Sequence, residues 1–282
     1  MEYYELNMRF PEFKSRAVTL SMDDGWKFDR QMIEVLDRYE IKCTFNLNAG
    51  SIEEEKTADY IWHGGRIPYE EIAEAYKNHE IASHTYTHPQ LAFLDMPGVA
   101  YQIIKDREVL EEKTGRIVEG LAYPFGLSES KGMIDCIEKC GIRYGRTTVS
   151  TRNFNIPFDY LRWHPTCHMF DSKFDELVEK FFSSDDIKRP EKTKAKLFFI
   201  WGHSYEYENK WDSLEQMCEK IGNRENVWYA TNMEIIDYIS AYRTLRRSVN
   251  GKIIYNPTNI DVFVAVGKEN VLIKKGETVV LK

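Results

Sequence analysis

The sequence predicts an α/β fold: a distorted (β/α)7-type barrel over residues 1–247, followed by a small β appendage over residues 248–282. Three observations predict it. Short apolar runs alternate with amphipathic helical patterns, the arrangement that builds a parallel sheet with helices outside. The side chains able to hold a metal or move a proton fall just after those apolar runs, where barrel strands deliver them to one rim. Beyond Arg247 the texture changes to short alternating runs punctuated by glycine.

The first strand is expected over Ala17 to Met22, running into the acidic pair Asp23 and Asp24. A helix from about Phe28 to Tyr39 turns Met32, Ile33, Val35 and Leu36 toward a core, and a strand over Lys42 to Leu47 follows. The charged stretch up to Gly64 and Gly65 reads as a long loop before a helix at Tyr69 to Lys77. A strand at Glu80 to Ser83 ends in the run Ser-His-Thr-Tyr-Thr-His. The next helix carries start chemistry at Asp95 and Pro97 and a stop at Gly115.

Further repeats pair a strand over Gly120 to Tyr123 with a helix over Ser128 to Cys140, and a strand over Ile142 to Thr147 with a long irregular segment. A helix near Asp171 to Phe182, a strand over Lys196 to Trp201, a helix near Ser213 to Ile221 and a strand over Val227 to Ala230 complete the alternation. Thr231 followed by Glu234 is a capping box for a helix to about Thr244. That makes roughly seven strand and helix repeats, enough to close a barrel. The appendage is expected as hairpins over Lys252 to Tyr255, Asp261 to Val266, Val271 to Lys274 and Thr278 to Leu281, with Gly251, Gly267 and Gly276 as turns.

Composition narrows the function. The 282 residues, 43% hydrophobic, can bury one large core. Net charge is -7, with 45 acidic against 38 basic residues and no basic tract of the kind that tracks a phosphate backbone, which argues against nucleic acid. No apolar stretch of about eighteen residues is present to span a bilayer, so no membrane role is expected. The five cysteines are odd in number and lack a disulfide-framework spacing, and the first residues carry no secretory signature. Both features point to a cytoplasmic location.

Asp23 and Asp24, with His84 and His88 some sixty residues on, supply one carboxylate and two imidazoles for a divalent metal and leave one carboxylate as a base. Adjacent acids before a glycine are also common turn punctuation. What separates the readings is convergence, because Tyr123 to Gly126 and His203 likewise follow strands. Trp26, Tyr123, Phe125, Trp163 and Trp201 fall beside these residues, where flat rings offer surface for stacking on a ligand. His164, Cys167 and His168 lack a fourth ligand at a suitable spacing and read as packing or groove lining, and His63 and His79 as loop or surface residues.

Four stretches, Thr-Leu-Ser-Met-Asp-Asp-Gly (19–25), Ser-His-Thr-Tyr-Thr-His (83–88), Ala-Tyr-Pro-Phe-Gly (122–126) and Trp-Gly-His (201–203), resemble in order and spacing the polysaccharide deacetylase family. This is the fourth carbohydrate esterase family, of chitin, chitooligosaccharide, peptidoglycan and xylan deacetylases. The resemblance implies a metallohydrolase that removes acetyl groups from an N-acetylated or O-acetylated carbohydrate. Asp24, His84 and His88 would bind the metal, Asp23 would be the catalytic base and His203 the general acid. Zn2+ suits this donor set best, and Co2+, Ni2+ or Fe2+ also accept it. Tyr123, Phe125 and Trp201 would line the substrate or its oxyanion.

The sequence departs from the family pattern in two places. Many members place an Arg before the Pro-Tyr-Gly turn to hold the catalytic base; here that position is Ala122, and Arg146 is the candidate to supply the guanidinium. The usual Asp and Trp segment is replaced by Leu-Arg-Trp-His-Pro-Thr-Cys-His (161–168), so Glu206 or Asp159 is the candidate carboxylate for tuning His203. Two rival readings stand: a hydrolase of a cyclic amide or ureide from the same superfamily, and a non-catalytic carbohydrate-binding barrel.

Overall fold

The computed structural model describes residues 4–55, 62–126, 130–183 and 194–281. Its centre is a curled parallel sheet, built from β2 (Arg16–Asp23), β3 (Cys43–Leu47), β4 (Glu80–Ser83), β5 (Gly120–Ala122), β6 (Tyr144–Arg146), β7 (Cys167–His168) and β8 (Lys196–Gly202). The strand order is β6-β5-β4-β3-β2-β8-β7. An isolated parallel bridge pairs Arg146 of β6 with Trp163, in the irregular segment that leads from β6 to β7. β9 (Val227–Tyr229), expected as a seventh stave, instead pairs with Arg16–Val18 at the start of β2, while β3 pairs with residues 20–23 of the same strand.

Helices cover the outside: α1 (Asp29–Arg38), α2 (Ala49–Glu55), α3 (Tyr69–Ala75), α4 (Met96–Thr114), α5 (Lys131–Lys139), α6 (Phe174–Phe182), α7 (Trp211–Ile221) and α8 (Asn232–Thr244). Met32, Val35 and Leu36 of α1 are buried against Val18, Leu20 and Met22 of β2, with Ile33 partly buried beside them. The helix ends follow the chemistry expected of them. Asp95 accepts from the Gly98 amide at 2.9 Å, and Gly115 closes α4 with φ 66. Thr231 and Glu234 cap α8 reciprocally. Ser130 caps α5, whose expected start at Ser128 lies outside the described residues.

The inner face of the sheet changes character along each strand. Near the amino ends Ala17, Leu197 and Phe199 pack with Tyr144 and Trp163 as an apolar floor. Toward the carboxyl ends the same face presents Ser21, Asp23, Asn46 and Arg146, all buried. An apolar floor under a polar mouth is what positions chemistry at one rim.

Two small sheets complete the chain. β1 (Leu6–Arg9), β12 (Val262–Val266) and β13 (Glu269–Ile273) form one, with β12 and β13 joined by Gly267, at φ 56, and Lys268. β10 (Arg246–Arg247), β11 (Ile253–Tyr255) and β14 (Thr278–Val280) form the other. The N-terminal strand β1 and the helix α2 were not expected from the pattern. Ala241 of α8 packs in one apolar cluster with Leu6 and Val264 of the first small sheet and Ile254 of the second, and Tyr242 Oη donates to Leu6 O while Tyr238 Oη accepts from Phe263 N.

Candidate active site

Every strand of the mouth contributes. β2 ends in Asp23 and turns at Asp24 (φ 76) and Gly25 (φ 70). Two successive left-handed residues suit an Asp-Gly pair, and a Cβ on Gly25 would sit 2.7 Å from Leu47 Cδ2. The turn aims the two carboxylates differently. Asp23 stays on the inner face of the barrel, while Asp24 faces the imidazoles of the loop after β4.

His84 Nε2 and His88 Nε2 lie 3.1 Å apart, and Asp24 Oδ1 is 3.8 Å from the first and 3.9 Å from the second. Donors around a tetrahedral zinc with bonds of ~2.0–2.1 Å are roughly 3.3 Å apart, so the trio has the spacing of a ligand set. Protonation states agree. His84 Nδ1 is 2.8 Å from Ala122 O; a carbonyl only accepts, so the proton sits on Nδ1 and the Nε2 lone pair faces the cluster. Burial, with the His84 ring beside it, pushes His88 down to about 4, leaving it a neutral imidazole at pH 7. The His84 lone pair at this distance from a neutral His88 ring, beside a carboxylate, fits an intervening cation.

The loop that carries the imidazoles is held tightly. Thr85 (φ 67) and His88 (φ 55) occupy the left-handed region, which is strained for a β-branched residue such as Thr85. Asn48 Nδ2 donates to His84 O at 2.5 Å and to Thr85 O at 3.0 Å. Asp106, fully buried on α4, accepts from Ser83 Oγ at 2.5 Å and from the Ala49 amide at 2.7 Å, and Ser83 Oγ in turn accepts from Thr85 N.

Asp23 is gripped from below. Arg146 Nη2 lies 2.5 Å from each of its carboxylate oxygens, and Asn46 Nδ2 donates to Oδ1 at 2.9 Å. Burial alone would raise this carboxyl, but the Arg146 guanidinium, foremost among the groups around it, outweighs burial and holds Asp23 below the usual carboxylate range. Arg146 is the direct cross-strand partner of Ala122. Its guanidinium is therefore displaced by one strand from the position where the resemblance leads one to expect it, at the same level of the barrel. The Trp201 ring lies against that guanidinium, 4.8 Å from centroid to Cζ.

Across the mouth, His203 Nε2 is 3.9 Å from Asp23 Oδ2 and 4.0 Å from Asp24 Oδ2. Its Nδ1 is 3.1 Å from Glu206 Oε2. Burial pulls the imidazole down, yet the Glu206 hydrogen bond and the two aspartates more than offset it, so His203 is raised from its ordinary value. Glu206 sits at about 2: burial raises it, and hydrogen bonds from His168 and His203 reverse the effect. Asp159, the other candidate carboxylate, pairs instead with Arg162 at 3.0 Å.

The aromatic expectations divide. Phe125 is exposed, at φ 60, with its ring 4.8 Å from that of His88. Trp26 donates to Asp24 Oδ2 at 3.1 Å and meets His63 and Tyr205 edge-on. Tyr123 is a correction: its ring is buried in the helix layer, its hydroxyl donates to Leu161 O, and its amide is committed to Arg146 O. Neither sugar stacking nor an oxyanion contact is open to it. Trp163 is also buried, against Tyr144 and Phe199 in the barrel floor. Strand alternation sets which face each ring takes, and the apolar runs here are too short and too uniformly apolar to reveal it.

Asn46, Asp106 and His168 went unrecognised as site residues. Asn46 falls within a strand, Asp106 within a helix, and neither belongs to a motif. His168 lies in a two-residue strand with no periodicity to place it. His164, by contrast, is exposed and bonded to Thr147 Oγ1, and Cys167 is buried.

A curled parallel sheet whose carboxyl end joins an Asp-His-His cluster to a buried Asp-Arg pair defines an incomplete (β/α) barrel with a candidate metal centre at its mouth. Comparison with known proteins specifies it further. Residues 11–145 match the family described as polysaccharide deacetylase. A peptidoglycan-N-acetylglucosamine deacetylase of Bacillus cereus is 28% identical over 116 residues, 40% of this chain and 38% of that protein, so the match spans well under half of that relative. A Mycobacterium smegmatis structure described as a polysaccharide deacetylase superposes with a TM-score of 0.59 at 16% identity, covering 86% of this chain and 96% of that one. A mutant of a CE4 family pseudoenzyme with restored enzymatic activity superposes with a TM-score of 0.50 at 17% identity, covering 82% and 70%. Residues 11–145 are thus similar in sequence to polysaccharide deacetylases. Among the described residues, no helix is long and apolar enough to cross a membrane.

Proposed function

We propose that this barrel is a metal-dependent hydrolase that removes acetyl groups from an N-acetylated or O-acetylated carbohydrate. The observation that carries this reading is the placement of a cation-sized donor trio, Asp24, His84 and His88, beside an ionised and buried Asp23, with His203 facing both. Asp24, His84 and His88 would hold the divalent cation, with Zn2+ favoured by donor type. Once bound, the cation supplies Lewis-acid polarisation of a carbonyl and a lowered pKa for water.

The chain's own groups divide the remaining work. Asp23, kept anionic by Arg146, removes a proton from the attacking water as it adds to the acetyl carbonyl. The Phe125 amide, in the turn beside His88, is the candidate backbone donor to a developing oxyanion. His203, raised by Glu206 and the aspartates, carries a proton on Nε2 and gives it to the leaving amine or alcohol. Acetate and the deacetylated sugar are the products. Phe125 and Trp201 offer apolar surface to the acetyl group and the sugar ring.

The test is acetate release from acetylated chitooligosaccharides and acetylated xylan, run beside ring opening of small imides. Asp23→Asn is expected to retain a stoichiometric cation and lose turnover by about 10²- to 10⁴-fold. Normal turnover in the cation-loaded variant removes the base assignment, and imide opening without acetate release overturns the substrate class. Stoichiometric cation with no hydrolysis of any acetyl ester or amide would favour a binding protein.

A further inference from the structure

His168 enters the mouth from β7, whose two residues pair with Ile200 and Trp201 of β8. That register brings its ring beside the segment carrying His203. The Phe170 amide donates to His168 Nδ1 at 3.2 Å. An amide N–H only donates, so Nδ1 is the acceptor and the neutral ring carries its proton on Nε2. Nε2 lies 3.2 Å from Glu206 Oε2.

The same oxygen accepts from the His203 amide at 3.1 Å and faces His203 Nδ1 at 3.1 Å. Three donors thus converge on one carboxylate oxygen. With Nδ1–H committed to Glu206, His203 turns Nε2 toward Asp23 and Asp24. The Trp201 ring stands edge-on to His168 at 4.7 Å and limits how far that ring can swing.

His168, His203 and Glu206 also have the spacing of a second cation site. The Phe170 amide argues against it. A cation on His168 Nε2 would need the proton moved to Nδ1, where it would oppose another N–H. The chemistry of the donors favours a hydrogen-bonded chain.

We propose that His168 is a positioning residue: by donating to Glu206 it locks the carboxylate, and through it fixes the tautomer and ring direction of His203. A glutamate has three rotatable side-chain torsions, and one anchoring donor fewer lets the carboxylate turn away from Nδ1. Free histidine favours its proton on Nε2, the opposite of what this site holds. The kinetic consequence rests on the deacetylase reading above; the tautomer does not.

The experiment compares the full chain with His168→Phe, His168→Gln and His168→Asn. Phe keeps a ring without a donor, Gln keeps a donor at similar reach, and Asn falls short. Ring 15N shifts of His203 in cation-free protein, recorded above its titration where the ring is neutral, report the tautomer, and metal analysis after zinc loading reports whether the mouth is intact. Wild type and His168→Gln are expected to hold the proton on Nδ1, and His168→Phe to shift it toward Nε2. In acetate release, kcat of His168→Phe is expected to fall about 10- to 100-fold at unchanged KM, with recovery in His168→Gln. Should His168→Phe fail to load zinc, His168→Asn takes its place. A wild-type tautomer in a zinc-competent Phe or Asn variant overturns the proposal. If no variant releases acetate from any substrate, the deacetylase reading fails and the 15N result still decides the role of His168.

Discussion

Arg146 Nη2 meets both carboxylate oxygens of Asp23 at 2.5 Å, and the two side chains are buried together beneath the mouth of the barrel. Asp23 therefore has a charge partner that solvent cannot replace. Removing that partner leaves an uncompensated buried anion. Arg146→Met is expected to cost about 3–5 kcal/mol in urea unfolding at pH 7. The direction with pH follows from the depressed carboxyl. In the wild type the pair contributes fully above the ordinary carboxylate range, and the contribution fades as acid protonates Asp23. The difference between variant and wild type should therefore shrink on acidification.

Because Ala122 is the cross-strand neighbour of Arg146, the guanidinium should be movable. Arg146→Ala alone is expected to abolish acetate release. The double variant Ala122→Arg, Arg146→Ala is expected to recover part of it and to restore the unfolding free energy. No recovery in either readout would mean that the adjacent position cannot reach Asp23.

Asp106 tests how far the cation site depends on its loop. Asp106→Ala removes the acceptor for Ser83 Oγ and the Ala49 amide and loosens a segment whose Thr85 and His88 are in left-handed conformations. Zinc affinity, measured by competition with a chromophoric chelator, is expected to fall about 10- to 100-fold with the three ligands themselves intact.

Glu206 gives a clean pH signature. Its folded value of about 2 lies below the ordinary glutamate value of ~4.3. Its contribution to stability is present above the ordinary value and is lost as pH falls through the folded one. Glu206→Gln is expected to be less stable than wild type at pH 7, with the gap closing between about pH 4 and pH 2. A constant gap across that range would show that Glu206 gains nothing from its charge.

Much of this site was legible before any coordinates. Apolar runs ending at Met22, Ser83 and Trp201 announce strands whose carboxyl ends carry the polar groups, and barrel geometry does the gathering. What stayed hidden has a common cause. The side-chain direction of Tyr123 and Trp163 depends on which face of a short, doubly buried strand each occupies. The role of His168 depends on a two-residue pairing set by tertiary contact. The acid-rich helix α2 has no apolar stripe to mark it, because only its first four residues are buried.

Leu6 pairs with Val266 and Arg9 with Phe263, so one of the small sheets is completed only when the two ends of the sequence meet. Closing a loop of that length costs on the order of 5 kcal/mol of chain entropy in an otherwise unfolded chain. Most of that cost disappears once the barrel has formed and α8 presents Tyr238 and Tyr242 to both strands. β1 and β12 then act as a clasp that fastens last and opens first. Amide exchange at Met8 and Val264 is accordingly expected to be faster than at the barrel strand β2, because the clasp opens while the barrel stays folded.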